Sequence, residues 1–301
     1  MNIPNQFVQL PFLEKHEVRL ALKREDTIHP FVSGNKYRKL KYNLFRAQQD
    51  GFKTLLTFGG AFSNHIAATA FAGQESGLKT IGIIRGEELE SSWEDNPTLK
   101  LAAEHGMDFQ FVSREDYRNK KNESFLEVLR KKHGDFYLIP EGGSNELAIK
   151  GCEEILTKED DTFTQICCAV GTGGTISGLI NSAKKHQKIL GFPALKGDFL
   201  KSDIRKFAQA ENWDLVMGYH FGGYAKINSE LVQFINDFKA TTGIPLDPIY
   251  TGKMLFGIFD LIKKGYFNPG SQILAIHTGG LQGIKGMNEV LKRKNLPLLD
   301  L

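Results

Sequence analysis

The chain has 301 residues, of which 41% are hydrophobic and 24% are charged, and its formal net charge is +3. This composition is typical of a soluble globular protein with one large or two medium domains, and the interspersed charges exclude a nucleic-acid stripe or a membrane-binding patch. Residues 1–20 lack the pattern of a signal peptide, and no apolar run approaches the roughly 18 residues of a membrane span. We therefore expect a cytoplasmic protein with no nucleic-acid, membrane or metal partner.

Short β-rich runs alternate with longer helical patterns along most of the chain, and glycine often follows the run. The runs at 54–58, 80–84, 136–139, 165–170 and 272–277 predict strands, each followed by a helix, and the run at 214–217 predicts one more strand. This order predicts an α/β protein with parallel strands. The number of such units favours two sheets, in two domains of unequal size that meet at a cleft.

The stretch Ser33-Gly34-Asn35-Lys36-Tyr37-Arg38-Lys39 places a lysine where a polar turn runs into a predicted helix. Asn35 is predicted to cap this helix, which should end near Gly51. The positive end of the helix dipole and the cations Arg38 and Lys39 should lower the pKa of Lys36. A neutral amine is the form that a Schiff-base lysine requires, so Lys36 is a candidate covalent anchor. A solvated, basic helix start is the alternative when the stretch is taken alone.

A glycine-rich turn, Gly171-Thr172-Gly173-Gly174-Thr175, lies between a predicted strand and a predicted helix. The backbone N–H groups of such a turn can bind an anion, and a phosphate fits them. The turn matches neither the nucleoside-triphosphate motif with its lysine nor G-x-G-x-x-G, which favours a small phosphate monoester over ATP or NAD. A tight turn that needs glycine for steric reasons is the alternative.

Glycines also precede a predicted helix start in the first half of the chain, in the stretch Gly59-Gly60-Ala61-Phe62-Ser63-Asn64-His65. Its hydroxyl and amide side chains at a helix start can hold a carboxylate, whereas the alternative is that Ser63 only caps the helix. His65 is more often a packing residue than a catalyst, and no carboxylate partner can be placed near it.

Two more turns that lead into helices lie in the second half, Asp247-Pro248-Ile249-Tyr250-Thr251-Gly252-Lys253 and His277-Thr278-Gly279-Gly280. Tyr250 can serve as an acid or a base, and Thr251 and Thr278 can hydrogen-bond to a ring nitrogen. The alternatives are a core tyrosine and two helix caps.

Together these segments resemble the pyridoxal-phosphate enzymes of the tryptophan-synthase-β fold (fold type II), and within them the 1-aminocyclopropane-1-carboxylate deaminase and D-cysteine desulfhydrase group. Leu22-Lys23-Arg24-Glu25-Asp26, Gly142-Gly143-Ser144-Asn145 and the motifs above occur in the order that this group shows, over nearly the whole chain. The resemblance implies two open, twisted, mostly parallel sheets flanked by helices, and a homodimer. We expect a large cofactor-binding domain from 1–42 and 148–301, with a small α/β domain at 43–147 inserted in it.

The resemblance also implies roles for individual residues around pyridoxal 5'-phosphate. Lys36 would form the Schiff base and Asn64 would bond the phenolic oxygen of the cofactor. The phosphate would be held by Gly171, Thr172, Gly173, Gly174 and Thr175. The residues expected at the substrate are Lys39, Ser63, Asn64, His65 and Tyr250, with Lys36, Ser63 and Tyr250 as the catalytic set.

By the resemblance, the identity of the substrate depends on the residues at positions 251 and 278, which are Thr251 and Thr278 in this chain. In the group, the aminocyclopropane deaminases carry a glutamate at the first position and tend to have an apolar residue at the second, whereas the desulfhydrases carry hydroxyl residues. The resemblance therefore implies β-elimination and deamination of a small amino acid, with D-cysteine going to pyruvate, sulfide and ammonia. An aminocyclopropane deaminase and a non-catalytic protein that binds a phosphate-bearing ligand are the alternatives. His65, where many members have glutamine, and the aromatic loop Phe221-Gly222-Gly223-Tyr224 are departures that can line the substrate pocket.

Overall fold

The computed structural model describes residues 3–32, 34–197 and 199–300, so Ser33 of the lysine stretch lies outside the described residues. The strands are β1 (Asn5–Val8), β2 (Arg19–Lys23), β3 (Thr54–Gly59), β4 (Lys79–Arg85), β5 (Met107–Val112), β6 (Tyr137–Ile139), β7 (Gln165–Val170), β8 (Lys188–Pro193), β9 (Trp213–Leu215) and β10 (Gln272–Ile276). The α-helices are α1 (Pro11–Lys15), α2 (Asn35–Gln49), α3 (Asn64–Glu75), α4 (Pro97–Glu104), α5 (Arg114–Arg118), α6 (Glu123–His133), α7 (Glu146–Glu153), α8 (Gly174–Ser182), α9 (Phe199–Arg205), α10 (Ser229–Thr242), α11 (Thr251–Lys263) and α12 (Gly283–Arg293).

The strands form two sheets, which confirms the predicted α/β class. The large sheet has the order β1-β2-β10-β7-β8-β9, in which β1 runs antiparallel to β2 and the other neighbours are parallel. The small sheet has the order β5-β4-β3-β6 and its pairings are all parallel. Its four strands fall between residues 43 and 147, while the domain boundaries at these positions stay a prediction.

The large sheet is buried on both faces. Along β7, Cys167 and Ala169 belong to the core on one face, whereas Ile166, Cys168 and Val170 belong to the core on the other. Continuous burial of this kind is the usual state of a parallel sheet covered by helices, and it places ligand-binding residues at the carboxyl ends of the strands. The turns after β3, β7 and β10 all carry residues of the candidate site.

The six strands predicted from the sequence are present as β3, β4, β6, β7, β9 and β10, and β9 begins one residue before its predicted start and ends two residues before its predicted end. Four strands at β1, β2, β5 and β8 had not been predicted. Of these, β8 holds Gly191 and ends at Pro193, two residue types that are depleted in strands. Within the described residues, no helix is both long enough and apolar enough to cross a membrane.

Candidate active site

The helix that carries Lys36 begins at Asn35, but Asn35 does not cap it. Gly34 occupies the cap position with a φ of 62°, and a Cβ there would lie 1.9 Å from the carbonyl oxygen of Thr278. The Asn35 amide instead donates to Thr175 Oγ1 at 2.8 Å, and its backbone N–H donates to Thr278 O at 3.3 Å. The capping prediction was therefore wrong, because the side chain bridges to the glycine-rich turn. The helix ends at Gln49, close to the predicted end.

The amines of Lys36 and Lys39 converge on one carbonyl. Lys36 Nζ donates to Gly142 O at 3.4 Å, and Lys39 Nζ donates to the same oxygen at 2.9 Å and to Ser144 Oγ at 3.1 Å. Burial of the Lys36 amine, followed by the charge of Lys39, lowers its pKa well below the ordinary value. The direction predicted from the sequence is confirmed.

The source of that shift differs in part from the prediction. Arg38 is not an uncompensated cation beside Lys36, since its guanidinium forms a two-pronged salt bridge with the buried Glu25 at 2.9 Å. Lys39 is the neighbouring cation that acts on the Lys36 amine, and burial is the larger cause.

The glycine-rich turn closes around the Lys39 amine. Gly173 caps α8 with a φ of 85°, and a Cβ on Gly174 would lie 2.6 Å from Ser144 Oγ and 3.1 Å from Lys39 Nζ. Ser144 Oγ and Thr172 Oγ1 are hydrogen-bonded at 2.6 Å. The first backbone N–H groups of a helix have no partner within it, so this turn offers N–H donors, hydroxyls and an ammonium group to one anion.

Lys36, Asn64 and Thr278 meet in one small pocket. Its lining is formed by Asn35, Lys36, Asn64, Ala68, Thr278, Gly280 and Gln282. Asn64 Oδ1 is buried and has no hydrogen-bond partner among the described residues, and a Cβ on Gly280 would lie 2.6 Å from Asn64 Nδ2. A buried amide oxygen without a partner, beside a lysine of lowered pKa and near a turn with free N–H donors, fits a phosphate-bearing cofactor that has a polar ring substituent.

Ser63 and His65 flank Asn64 at the start of α3. Ser63 is the N-cap and its Oγ accepts from the N–H of Ile66 at 3.4 Å, which agrees with the capping alternative. His65 is 2% exposed and its Nε2 lies 2.8 Å from Thr57 Oγ1. Burial and then the charges of Lys36 and Lys39 hold the His65 pKa well below its ordinary value, so the imidazole is neutral. These contacts favour a packing role for His65, and its predicted contact with substrate stays a prediction.

The two threonines expected at a ring nitrogen have different environments. Thr278 lines the pocket beside Lys36. Thr251 is fully buried and donates from Oγ1 to Asp247 Oδ2 at 2.6 Å, while it accepts from the Asp247 N–H at 3.0 Å. The hydroxyl hydrogen of Thr251 is thus already used, and Thr278 is the better placed of the two for a ligand in the pocket.

Tyr250 stands at the N-cap position of α11 and faces the glycine-rich turn, since a Cβ on Gly171 would lie 3.3 Å from its ring. Burial, followed by the neighbouring Tyr224 phenol, raises the Tyr250 pKa well above its ordinary value. The two rings meet edge to face, with centroids 6.2 Å apart. Tyr224 was not among the predicted site residues, although the loop Phe221-Gly222-Gly223-Tyr224 had been singled out as a possible part of the pocket wall.

Comparisons with known proteins identify related chains along nearly the whole length. The family model described as "Pyridoxal-phosphate dependent enzyme" matches residues 2–279. The mitochondrial bifunctional D-cysteine desulfhydrase/1-aminocyclopropane-1-carboxylate deaminase of Arabidopsis thaliana is 32% identical over 88% of this chain and 73% of its own length. The D-cysteine desulfhydrase of Klebsiella pneumoniae subsp. pneumoniae is 27% identical over 92% of each chain. A crystal structure of an ACC deaminase homologue superimposes with a TM-score of 0.82 at 29% identity, covering 97% of this chain and 94% of that one.

Proposed function

Because the chain belongs to the family of pyridoxal-phosphate dependent enzymes, we propose that it catalyses β-elimination and deamination of D-cysteine to pyruvate, sulfide and ammonia. The observation that carries the choice of reaction is the position of Thr278, a residue with a hydroxyl group that lines the same pocket as Lys36 and Asn64. The relative from Klebsiella pneumoniae is named for this reaction, and the one from Arabidopsis thaliana is named for this reaction and for the deamination of aminocyclopropane carboxylate.

When bound, pyridoxal phosphate supplies an electron sink that makes the α-proton of an amino acid acidic. Lys36 is the residue that would hold the cofactor covalently, and its lowered pKa makes Nζ a base able to accept that proton. The sulfur of cysteine then leaves from the β-carbon, and a thiol with a pKa of about 8.5 is a good leaving group near neutral pH. Tyr250 stays protonated because its pKa is raised, so its phenol can donate a hydrogen bond to the departing sulfur.

The remaining site residues bind and orient. Residues 171–175, with Lys39 beside them, would hold the phosphate, and the side-chain amide of Asn64, which lines the pocket, would bond the phenolic oxygen of the cofactor. Ser63, at the start of α3, would lie beside the substrate carboxylate. These roles are part of the proposal.

The ring-nitrogen partner bears on the substrate. A carboxylate there keeps the nitrogen protonated and deepens the electron sink, which helps to open a cyclopropane that has no α-hydrogen. A threonine hydroxyl supports a weaker sink, which suffices when an α-proton can be removed and a thiolate can leave. Thr278 therefore favours a β-substituted amino acid over aminocyclopropane carboxylate.

The test is a substrate panel with the cofactor-loaded protein: D-cysteine, L-cysteine and aminocyclopropane carboxylate, with the 2-oxoacid and sulfide measured. We expect pyruvate and sulfide from D-cysteine. Faster release of 2-oxobutanoate from aminocyclopropane carboxylate would make the chain a deaminase instead. A protein that takes up no cofactor and shows no visible absorption band would be the non-catalytic phosphate-ligand binder.

A matched pair of lysine variants tests the anchor. Lys36→Ala should remove the borohydride-sensitive visible band, whereas Lys53→Ala, at an exposed position outside the site, should keep it. Loss of the band in both variants, or in neither, would contradict the role of Lys36.

The assembly and the location that the resemblance implies are also proposals. A homodimer is tested by sedimentation of the purified protein over a range of concentrations. A cytoplasmic location is tested by fractionating cells that produce the chain.

A further inference from the structure

One face of α11 carries four residues spaced as i, i+3, i+4 and i+7, namely Lys253, Phe256, Gly257 and Asp260. Residues with this spacing share one side of a helix. The loop formed by residues 218–225, called here the tyrosine loop because it carries Tyr224, lies against this face. The same helix has Tyr250 at its N-cap position, one turn before Lys253.

Lys253 makes the most unusual of these contacts. It is 2% exposed, and its Nζ donates to His220 O at 3.0 Å and to Gly223 O at 2.9 Å. In the parts of the chain that the structure describes, no carboxylate lies within salt-bridge distance of this amine. A buried amine without an ion-pair partner is costly, so its use here points to a role for the two carbonyls that it holds.

The tyrosine loop has a backbone that needs such support. Phe221 and Ala225 have φ values of 53° and 54°, and Gly218, Gly222 and Gly223 also have positive φ. A residue with a side chain is strained in this region of φ and persists there only where surrounding contacts enforce it. The two carbonyls that Lys253 holds lie on either side of Phe221 and Gly222, within the strained part of the loop.

The other three residues of the face complete the docking. The Tyr219 hydroxyl donates to Asp260 Oδ2 at 2.6 Å, and the Phe221 ring meets the Phe256 ring at 5.0 Å. Gly257 leaves room for Tyr219, because a Cβ at this glycine would lie 2.9 Å from Tyr219 Cγ. These contacts fix the first part of the loop, whereas Lys253 fixes the part that leads directly into Tyr224.

We propose that Lys253 is a positioning residue for catalysis, which clamps the strained tyrosine loop through the His220 and Gly223 carbonyls and so holds the Tyr224 phenol against Tyr250. Lys253 does not act on substrate itself. Its effect on the reaction passes through the pair of tyrosines. The kinetic part of this inference rests on the proposed function, since it assumes that Tyr250 takes part in the reaction.

The first experiment measures amide hydrogen exchange by mass spectrometry in Lys253→Met, which keeps an unbranched side chain one atom shorter than that of lysine and removes the donors. Loss of two hydrogen bonds from a strained loop should speed exchange in peptides covering residues 218–226 by about tenfold or more. Lys263→Met, at an exposed position on the same helix, is the control and should leave this segment unchanged. Lys253→Gln, which retains an N–H₂ group on a shorter side chain, should give an intermediate rate.

The outcome of the exchange experiment decides the inference without any substrate. Unchanged exchange of residues 218–226 in Lys253→Met would overturn it. An equal increase throughout α11 and the large sheet would also overturn it, since that result means general destabilisation. Failure of every amino acid in the substrate panel would instead count against the proposed function alone.

The second experiment is a double-mutant cycle on the turnover of D-cysteine. We expect Lys253→Met to lower kcat by about tenfold, with a smaller change in KM, and to have little further effect in a Tyr224→Phe background. Independent, additive losses from the two substitutions would show that Lys253 does not act through Tyr224.

Discussion

Asn35 and Thr175 are joined by a hydrogen bond of 2.8 Å between Asn35 Nδ2 and Thr175 Oγ1, although 140 positions separate them in the chain. The first belongs to the helix that carries Lys36, and the second to the turn proposed to hold the phosphate. A bond between them sets the distance from the proposed covalent anchor to the proposed phosphate site before any ligand is bound.

Removal of either partner should therefore weaken both folding and cofactor binding. Asn35→Ala and Thr175→Val should each lower the free energy of unfolding by about 1 kcal/mol, and the double variant should lose little more than either one. Urea unfolding of the cofactor-free chain gives these values, and titration with pyridoxal phosphate gives the change in Kd. If the losses of unfolding free energy in Asn35→Ala and Thr175→Val add up in the double variant, the hydrogen bond between the two residues does not contribute to stability.

Gly34 should tolerate no side chain. Gly34→Ala places a Cβ 1.9 Å from Thr278 O at a φ of 62°, so either the start of α2 or the turn after β10 must move. Gly51→Ala is the matched control, because Gly51 also has a positive φ of 78° but has no atom within 4 Å of the added Cβ. We expect Gly51→Ala to cost about 1 kcal/mol of stability and Gly34→Ala several times more, with loss of cofactor uptake. Equal thermal-unfolding midpoints for the two variants would contradict this.

Substitutions of Thr251 and Thr278 should affect different properties of the protein, namely stability for Thr251 and the reaction for Thr278. Thr251→Val removes the hydroxyl hydrogen bond to the buried Asp247 and should lower the free energy of unfolding by about 1–3 kcal/mol, with the cofactor spectrum retained. Thr278→Val should change stability little, because Thr278 lines the pocket. The substitution should shift the visible spectrum of the cofactor-loaded protein and lower kcat. Thermal unfolding and absorption spectra check both. The reverse assignment of the two effects would make Thr251 the ring-nitrogen partner.

Lys253 should make stability rise with pH in the alkaline range. Burial lowers its pKa to about 8 in the folded protein from an ordinary 10.5, against a partial opposing effect of Asp247. Between these pH values the unfolded chain binds more protons than the folded one, so stability increases with pH by up to ~3 kcal/mol from this group. The free energy of unfolding of the wild type minus that of Lys253→Met should therefore rise between pH 8 and 10.5.

The free energy of unfolding of the wild type minus that of Lys263→Met should not change between pH 8 and 10.5, because Lys263 is exposed on the same helix. A neutral Lys253 amine still has two hydrogens, one for each of the carbonyls of His220 and Gly223, so the tyrosine loop should remain docked above pH 8.

Patterns of neighbouring residues predicted the strands and helix starts, because their formation depends mainly on residues that are close in the sequence. The strand at 165–170 was identified with its observed bounds, since an apolar run ending in glycines has few other structures open to it. Lys36 was correctly placed in the first turn of a helix, and the direction of its pKa shift was predicted together with the part of Lys39, although burial is the larger cause.

The parts that were missed depend on contacts between distant segments. Asn35 was expected to cap its own helix because no local pattern shows that Thr175 lies within reach. Thr251 gave no sign that its hydroxyl is bonded to Asp247 rather than open to a ring. Lys253 was named only as the end of a motif, since the carbonyls that it holds, 33 and 30 positions earlier, become its neighbours only in the folded chain.

The position of β10 in the large sheet has a consequence for biosynthesis. This strand, formed by Gln272–Ile276, lies between β2 and β7, and the turn after it supplies Thr278 and Gly280 to the pocket. A chain emerging from the ribosome holds Lys36 early, yet it has neither the centre of the large sheet nor that wall of the pocket until residue 280 has been made. Productive capture of the cofactor should therefore wait until β10 and the turn after it have been made, and fragments that end before β10 should not acquire the cofactor.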